Sequence, residues 1–172
     1  MITKHLLLAT ALSLLTAGSA MAQTVVLVRH AEKVDASADP LLSQAGAARA
    51  IALAAVLGDT RPATILTSTL QRTRLTAQPT ATAFGIRLET IGLEDGAQAH
   101  VDRIASRARA QGPNAVVLVV GHSNTIPLIA RALGFAGAAD MPDCEYDRLT
   151  VLNLDEDRTT ALVARYGAPT TC

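Results

Sequence analysis

The sequence predicts an α/β fold in three layers, with a mostly parallel central sheet flanked by helices and a β-hairpin at the C-terminus. Two patterns support this fold class. Short, continuously apolar runs alternate along the chain with segments of helical periodicity, as expected for a parallel sheet whose strands are buried on both faces. Near the C-terminus, two further strand-like segments flank the charged turn Asp155-Glu156-Asp157, which favours a hairpin.

Six segments are predicted to be strands. The first and the fourth are apolar throughout, which is typical of strands buried on both faces. The third is the weakest, because its apolar run is short. In chain order, the predicted strands are residues 24–28, 63–66, 86–88, 115–120, 148–154 and 160–166.

Helices are predicted between the strands. In residues 43–57 the apolar side chains recur at intervals of three and four, so one stripe is expected to pack on the sheet, and Gly58 is expected to end the helix. A second helix begins near Leu70. Pro79 is expected to interrupt it, because proline has no N–H for the helical ladder. Two further helices are predicted around residues 101–108 and 125–133.

Residues 1–22 are predicted to be a secretory signal peptide. Lys4 gives a positive start, residues 6–17 form a stretch of apolar and small residues, and Ala20-Met21-Ala22 is a small-x-small cleavage pattern. The stretch is shorter than the about 20 residues that span a bilayer, so cleavage rather than anchoring is expected. Residues 23–172 would then form a single domain, periplasmic or secreted, with no stable membrane insertion.

The composition argues against several classes of function. The 15 basic and 15 acidic side chains balance, so the chain has no basic footprint for nucleic acid. An anionic ligand would therefore be bound by a few placed arginines. The sequence contains no Walker A loop, dinucleotide fingerprint or HExxH motif, and its two cysteines cannot form a zinc site alone. No metal or cofactor is expected, and nothing indicates an oligomeric state.

Two histidines directly follow predicted strands. Arg29-His30 continues the first strand, and Gly121-His122 continues the fourth. The carboxyl ends of parallel strands meet at one edge of a sheet, where ligands bind, so the two histidines are expected to converge. Arg72 follows the second strand in the first turn of the next helix, where anions are favoured, and arginine binds phosphate through paired donors. The alternative of structural histidines and surface arginines fits these positions less well.

Three motifs in this order resemble the histidine phosphatase superfamily, which includes the cofactor-dependent phosphoglycerate mutases. Val28-Arg29-His30-Ala31-Glu32-Lys33 resembles its arginine-histidine motif, with Ala31 where glycine is common. Residues 68–77 are similar to the segment of its second arginine, with Thr69 in place of a common proline. Gly121-His122-Ser123-Asn124 resembles its second-histidine motif. The likeness spans about residues 25–133 and implies a phosphoglycerate mutase-like fold.

The resemblance implies a metal-independent phosphatase in which His30 is the nucleophile. A phosphohistidine intermediate divides one difficult displacement into two easier steps. Arg29, Arg72 and His122 would surround the phosphoryl oxygens and stabilise the charge that develops on them. The chain lacks the long insertions of the mutases, so the compact phosphatases of the superfamily are the closer likeness.

A proton donor for the leaving group is expected in the loop after the third strand. Glu94 lies about as far beyond the second arginine as the family's acid does, with Asp95 and water as alternatives. A donor must keep its proton near the working pH, which burial or a nearby phosphate charge would favour. In the same region His100 is predicted to be exposed, and Glu32 either borders the pocket or lies exposed.

The predicted reaction is hydrolysis of a phosphate ester, with a phosphorylated small molecule or an envelope-linked phosphate as substrate. Two alternatives stay open. The first is a protein phosphohistidine phosphatase, which export away from cytosolic phosphorelays disfavours. The second is a non-catalytic module that binds phosphate, which the complete set of two histidines and two arginines disfavours.

Cys144 and Cys172 are predicted to form a disulfide bond, because export would place them in an oxidising compartment. If the C-terminal hairpin pairs about residues 155–157, residue 144 lies opposite about residue 169, within reach of a flexible tail that carries Cys172. By the chain-entropy estimate, this bond adds about 3 kcal/mol to the free energy of unfolding.

Overall fold

The computed structural model describes residues 22–172, which form one six-stranded sheet and four α-helices. The predicted signal peptide, apart from Ala22, lies outside the described residues. The strands are β1 (Gln23–Arg29), β2 (Thr64–Ser68), β3 (Leu88–Ile91), β4 (Val116–Gly121), β5 (Arg148–Leu154) and β6 (Thr159–Arg165). The helices are α1 (Gln44–Leu57), α2 (Gln71–Phe84), α3 (Gly96–Arg109) and α4 (Ile126–Ala132).

The strands follow the order β3-β2-β4-β1-β5-β6 across the sheet. The first four in this order are parallel, β5 runs antiparallel to β1, and β6 returns antiparallel to β5. The predicted mostly parallel sheet with a C-terminal hairpin is confirmed. In the central pair, Arg29 of β1 lies opposite Gly121 of β4, so the residues that follow these strands emerge side by side.

Two helices cover each face of the sheet, which gives the three predicted layers. In β1, Val25 and Leu27 join the core beneath α3 and α4, whereas Val26 and Val28 join the core beneath α1 and α2. This alternation explains why β1 is apolar at every position. In residues 22–172 no helix is both long and apolar enough to cross a membrane.

The prediction that Pro79 interrupts the second helix is wrong. Helix α2 continues through this residue to Phe84. A proline inside a helix costs about 3 kcal/mol or more, because one backbone hydrogen bond is lost. Ala77 and Ala81 are buried on either side of Pro79, so packing of this helical face against the sheet compensates for the loss.

Strand β3 begins later than predicted, at Leu88. The reason is the way α2 ends. Gly85 adopts a left-handed conformation with φ of 65°, and the Ile86 N–H donates to the Ala81 carbonyl at 2.9 Å. Ile86 therefore completes the end of the helix and is not available to start the strand.

The C-terminal tail runs back along the loop between α4 and β5. Cys144 in this loop is bonded to Cys172, with their Cα atoms 5.3 Å apart. Thr170 strengthens the contact, because its hydroxyl donates to the Asp147 carboxylate at 2.8 Å. The last residues of the chain are therefore held beside the loop that precedes β5.

Candidate active site

The two predicted histidines meet at the carboxyl ends of β1 and β4. The His30 N–H donates to the Gly121 carbonyl at 2.9 Å, which extends the pairing of the two strands by one residue. The ring centroids of His30 and His122 lie 5.4 Å apart. Two side chains that are distant in sequence therefore share one site, as the position of strand ends predicts.

The imidazole of His30 is buried, and one of its two ring nitrogens forms a hydrogen bond. Nδ1 lies 2.8 Å from the Ala31 carbonyl oxygen, so Nδ1 carries the proton and Nε2 keeps its lone pair. Burial, followed by the positive charges of Arg29 and Arg72, lowers the pKa of His30 to about 3. At neutral pH the side chain is therefore a neutral imidazole with a free Nε2, which is the state required of a nucleophile.

The turn after β1 is fastened to α2. The Ala31 N–H donates to Thr76 Oγ1 at 2.9 Å, and the Thr76 hydroxyl donates to the Arg72 carbonyl at 2.7 Å. Ala31 is fully buried, so the side chain at the position where glycine is common fits inside the protein. These hydrogen bonds fix the backbone beside His30 to the first turn of the helix that carries Arg72.

His122 is oriented by a pair of hydroxyl groups, one at the end of β2 and one in the first turn of α2. Its Nε2 lies 2.9 Å from Ser68 Oγ, which lies 2.9 Å from Thr73 Oγ1. Burial, followed by competition with the nearby His30 for a proton and by the charge of Arg72, lowers the pKa of His122 to about 3. Because Nε2 is engaged, Nδ1 is the ring nitrogen that remains for an anion. Ser68 is the last residue of β2, so the same strand-end argument could have found it.

Arg29 is buried beneath the loop between α4 and β5. Its NH1 group donates to three backbone carbonyl oxygens of this loop: those of Pro142 (3.1 Å), Asp143 (2.7 Å) and Glu145 (3.2 Å). The ring of Tyr146 packs against the guanidinium, with its centroid 4.2 Å from Cζ. Nε is buried without a hydrogen-bond partner within residues 22–172. The loop thus holds one edge of the guanidinium and leaves the Nε edge for an anion.

Arg72 lies in the first turn of α2, as predicted. Its NH1 donates to the Ala38 carbonyl at 3.3 Å and lies 3.9 Å from the Asp39 carboxylate. Nε is again buried, and the described part of the chain offers it no hydrogen-bond partner. Two arginines with unsatisfied donors, one of them at a helix start, form a site suited to a phosphoryl group.

Glu94 is not joined to these four side chains by a hydrogen bond or ion pair among the described residues. It lies exposed in the turn before α3, with its carboxylate folded against Gly92. Asp95, the alternative donor, forms an ion pair with Arg103 at 2.8 Å. The role of Glu94 as a general acid stays a prediction.

The prediction that His100 is exposed is wrong. Its exposed fraction is 1%, because it lies at four-residue spacing with Ile104 and Ala108 on the buried face of α3. Its Nδ1 lies 2.9 Å from the Gly92 carbonyl oxygen, and burial lowers its pKa. The buried face of α3 therefore includes one polar ring beside the apolar residues.

Glu32 belongs to a structural ion pair. Nε and NH2 of Arg49 both donate to its carboxylate, at distances from 2.7 to 3.0 Å. The same guanidinium donates to the Tyr166 and Ala168 carbonyls at 2.9 and 2.8 Å. Arg49, which the sequence motifs do not mark, thus ties the turn after His30 to α1 and to the C-terminal tail.

The site contains donors for an anion rather than ligands for a cation. Within residues 22–172 there is no group of three or more His, Cys, Asp or Glu side chains that could hold a metal ion. The two histidines stand beside two guanidinium groups, which repel cations. The site therefore combines a neutral histidine with two guanidinium groups that each have an unpaired Nε.

Comparison with known proteins agrees with this class of site. Residues 25–94 match the model of the histidine phosphatase superfamily (branch 1). This segment contains Arg29, His30 and Arg72, and His122 lies beyond it, directly after β4. Over residues 25–94 the chain matches the superfamily that the sequence motifs predict. A search of the curated proteins found no match.

Solved structures show the same fold. Two candidate phosphohistidine phosphatases named SixA, from Nakamurella multipartita and Agrobacterium tumefaciens, are each 27% identical to the chain, with TM-scores of 0.57 and 0.56. The matches cover 86% and 85% of this chain and 96% and 98% of those proteins. A candidate α-ribazole-5′-phosphate phosphatase from Escherichia coli has a TM-score of 0.65 at 19% identity, covering 84% of this chain and 96% of its own.

Proposed function

We propose that this chain is a phosphatase that hydrolyses a phosphate ester through a phosphohistidine on His30. The observation that most supports the proposal is the protonation state of His30. Its Nδ1 is bonded to the Ala31 carbonyl, its pKa is lowered to about 3, and its Nε2 is free. A buried neutral imidazole beside two arginines with unsatisfied Nε donors is suited to attack a bound phosphoryl group.

In the first step, the Nε2 lone pair of His30 forms a bond to phosphorus as the bond to the leaving oxygen breaks. Nδ1 keeps its proton throughout, and the Ala31 carbonyl stabilises the positive charge that develops on the ring. The leaving oxygen takes a proton from Glu94, or from Asp95 or water. In the second step, water attacks phosphorus as the bond to Nε2 breaks, and the group that donated the proton takes one back from the water, which releases phosphate and restores the neutral imidazole.

Arg29, Arg72 and His122 would stabilise the negative charge on the transferring phosphoryl oxygens. Charged donors in a buried site are effective because little water screens them and little reorganisation accompanies the reaction. This set of donors replaces the metal ion that many other phosphoryl-transfer enzymes use. The proposed enzyme is therefore active without added metal.

The proposed substrate is a phosphorylated small molecule or an envelope-linked phosphate, and the proposed location is the periplasm or the exterior of the cell. The leader pattern of residues 1–22 supports export. Fractionation of cells that produce the full chain should place residues 23–172 outside the cytoplasm, whereas a variant that lacks residues 2–22 should stay inside. Equal distribution of the two proteins would contradict export.

Dephosphorylation of phosphohistidine on proteins is the second candidate. It is favoured by the likeness to two candidate phosphohistidine phosphatases, which extends over most of both chains. The exposed position of Glu94 also fits this reaction, because an imidazole leaving group depends less on a strong acid than an alkoxide does.

A comparison of substrates separates the candidates. Residues 23–172 should be assayed with nitrophenyl phosphate, sugar phosphates, phytate, lipid-headgroup phosphates and a phosphohistidine protein, with and without a chelator. The proposal expects a monoester to be the best substrate and the chelator to have no effect. Preference for the phosphohistidine protein would support the second candidate. Phosphate binding without turnover would indicate a non-catalytic module.

A further inference from the structure

The clamp loop, residues 142–147, surrounds the guanidinium of Arg29 and also contains one of the two bonded cysteines. We propose that the disulfide bond between Cys144 and Cys172 positions Arg29 for phosphate binding by holding this loop in place. The inference rests on the proposed phosphate site and adds to it a positioning element that is sensitive to reduction.

Arg29 depends on the backbone of the clamp loop. All three acceptors of its NH1 group are carbonyl oxygens of residues in this loop, at 2.7 to 3.2 Å. Tyr146 packs on the guanidinium, and the Asp143 carboxylate lies 3.6 Å from NH2. These contacts come from three backbone carbonyls, one ring and one carboxylate, all of them in the clamp loop, so they persist only while the loop keeps its shape.

The disulfide bond joins the clamp loop between two of the residues that contact Arg29. Cys144 lies between Asp143 and Glu145, whose carbonyls both accept from Arg29. On its other side the bond reaches Cys172, 28 residues further along the chain. A displacement of Cys144 would therefore move two of the three acceptors directly.

The clamp loop is also anchored at its end toward β5. Arg165 and Thr170 both bind the Asp147 carboxylate, at 2.6 and 2.8 Å. Arg148 pairs with Glu145, whose side chain is 6% exposed. These bonds hold the part of the loop next to β5, whereas the part around Asp143 is held by the disulfide and by one exposed hydrogen bond, from the Ser123 hydroxyl to the Asp143 carboxylate at 2.9 Å. Loss of the disulfide should thus loosen the loop locally and leave the hairpin in place.

The burial of Arg29 makes the position of the loop important. A guanidinium keeps its charge in proteins, so a buried one must have acceptors or move toward water. The side chain of Arg29 is 5% exposed, and the clamp loop supplies the acceptors of NH1. While NH1 is held in this way, Nε remains for the anion. A displaced loop would free NH1 and allow the guanidinium to rotate away from that orientation.

Reduction would break the bond by thiol–disulfide exchange. A dithiol attacks one sulfur and forms a mixed disulfide, and its second thiol then closes to the oxidised dithiol. The two electrons and two protons of the dithiol convert the bond into the thiols of Cys144 and Cys172. Phosphate affinity should therefore be highest in an oxidising compartment and lower after exposure to a dithiol.

The test compares the oxidised protein with Cys144→Ser/Cys172→Ser, using inorganic phosphate as the probe. Titration calorimetry gives the dissociation constant without requiring turnover. The inference predicts that the constant rises by roughly tenfold to a hundredfold, the loss expected when one hydrogen bond between charged groups is no longer made. Treatment of the oxidised protein with a dithiol should cause the same rise, and reoxidation should reverse it.

A double-mutant cycle separates positioning from general loosening of the fold. If the disulfide acts through Arg29, removal of the cysteines should cause no further loss of affinity in Arg29→Ala. Arg72→Ala is the matched control, because the contacts of Arg72 are with Ala38 and Asp39 and not with the clamp loop. In the Arg72→Ala variant, the cysteine substitutions should weaken phosphate binding by the same factor as in the otherwise wild-type protein.

Three results would overturn the inference: unchanged phosphate affinity in the cysteine variant, equal loss in the Arg29→Ala and wild-type backgrounds, or an effect that disappears in Arg72→Ala. Because the readout is phosphate binding, the proposed catalytic function can fail separately. A protein that binds phosphate tightly when oxidised but never hydrolyses an ester would contradict the proposed function and leave the role of the disulfide to be decided by the cycle.

Discussion

The parallel half of the sheet and the C-terminal hairpin contribute to the candidate active site in different ways. Strands β1, β2 and β4 end in the side chains that would contact phosphate or support those that do. The loop that leads into the hairpin contributes the backbone carbonyls and the one tyrosine that hold Arg29, and the hairpin anchors this loop through Arg148 and Arg165. The difference indicates that the parallel half supplies the chemistry and the antiparallel half sets the orientation of one of its groups.

The largest effect is expected for His30→Ala, in the parallel half. Loss of a nucleophile in other enzymes lowers kcat by about a millionfold, and we expect turnover of nitrophenyl phosphate to fall to the limit of detection. Phosphate binding should persist, because Arg29 and Arg72 remain. Substantial residual activity in this variant, or loss of wild-type activity on addition of a chelator, would show that another group performs the displacement.

The next largest effect tests the arginines. Arg72→Ala and Arg29→Ala should each lower kcat/KM by about a hundredfold to a thousandfold, the usual result of removing one donor to a developing charge. Arg29→Lys should recover little, because an ammonium group cannot replace a guanidinium held by three carbonyls. Steady-state kinetics with nitrophenyl phosphate measures both. If Arg29→Lys were as active as the wild type, the orienting role of the hairpin side would be wrong.

Much of the parallel half could be predicted from the sequence. His30 and His122 directly follow apolar strands, so sequence position alone brings them to one edge of the sheet. The part played by the other half could not be predicted in this way. Arg29 is held by carbonyl oxygens, which every residue has, and Tyr146 carries no motif. The expectations that Pro79 interrupts α2 and that His100 is exposed are wrong, because tertiary packing overrides the local sequence pattern at both positions.

The general acid is expected to have a smaller and selective effect. Glu94→Gln should slow hydrolysis of substrates with poor alcohol leaving groups by about a hundredfold, and change nitrophenyl phosphate hydrolysis little. Asp95→Asn tests the alternative donor, which is paired with Arg103, and selective slowing in that variant alone would assign the proton to Asp95. Equal slowing of both substrates would indicate a role of Glu94 in binding or folding. No slowing of either would assign the proton to Asp95 or to water.

The smallest effect on activity is expected from mild acid. Burial lowers the pKa of His30 and His122 from 6.5 to about 3, so both rings stay neutral at pH 5. After correction for substrate ionisation, kcat/KM should show no loss near pH 6.5. Stability should respond differently. Below pH 6.5 the two histidines bind protons in the unfolded chain but not in the folded chain. The free energy of unfolding should therefore fall as the pH decreases from 6.5 toward 3. Urea unfolding at pH 7 and pH 5 measures this, and equal stabilities would contradict burial of neutral histidines.

The most direct test of the account is detection of the phosphorylated intermediate. Residues 23–172 should be mixed with excess nitrophenyl phosphate, quenched rapidly in base and examined by intact mass and by peptide mapping. The account predicts one acid-labile phosphoryl group on His30, absent from His30→Ala and present in Glu94→Gln. Turnover without a phosphorylated protein under these conditions, or a phosphoryl group on any other residue, would contradict it.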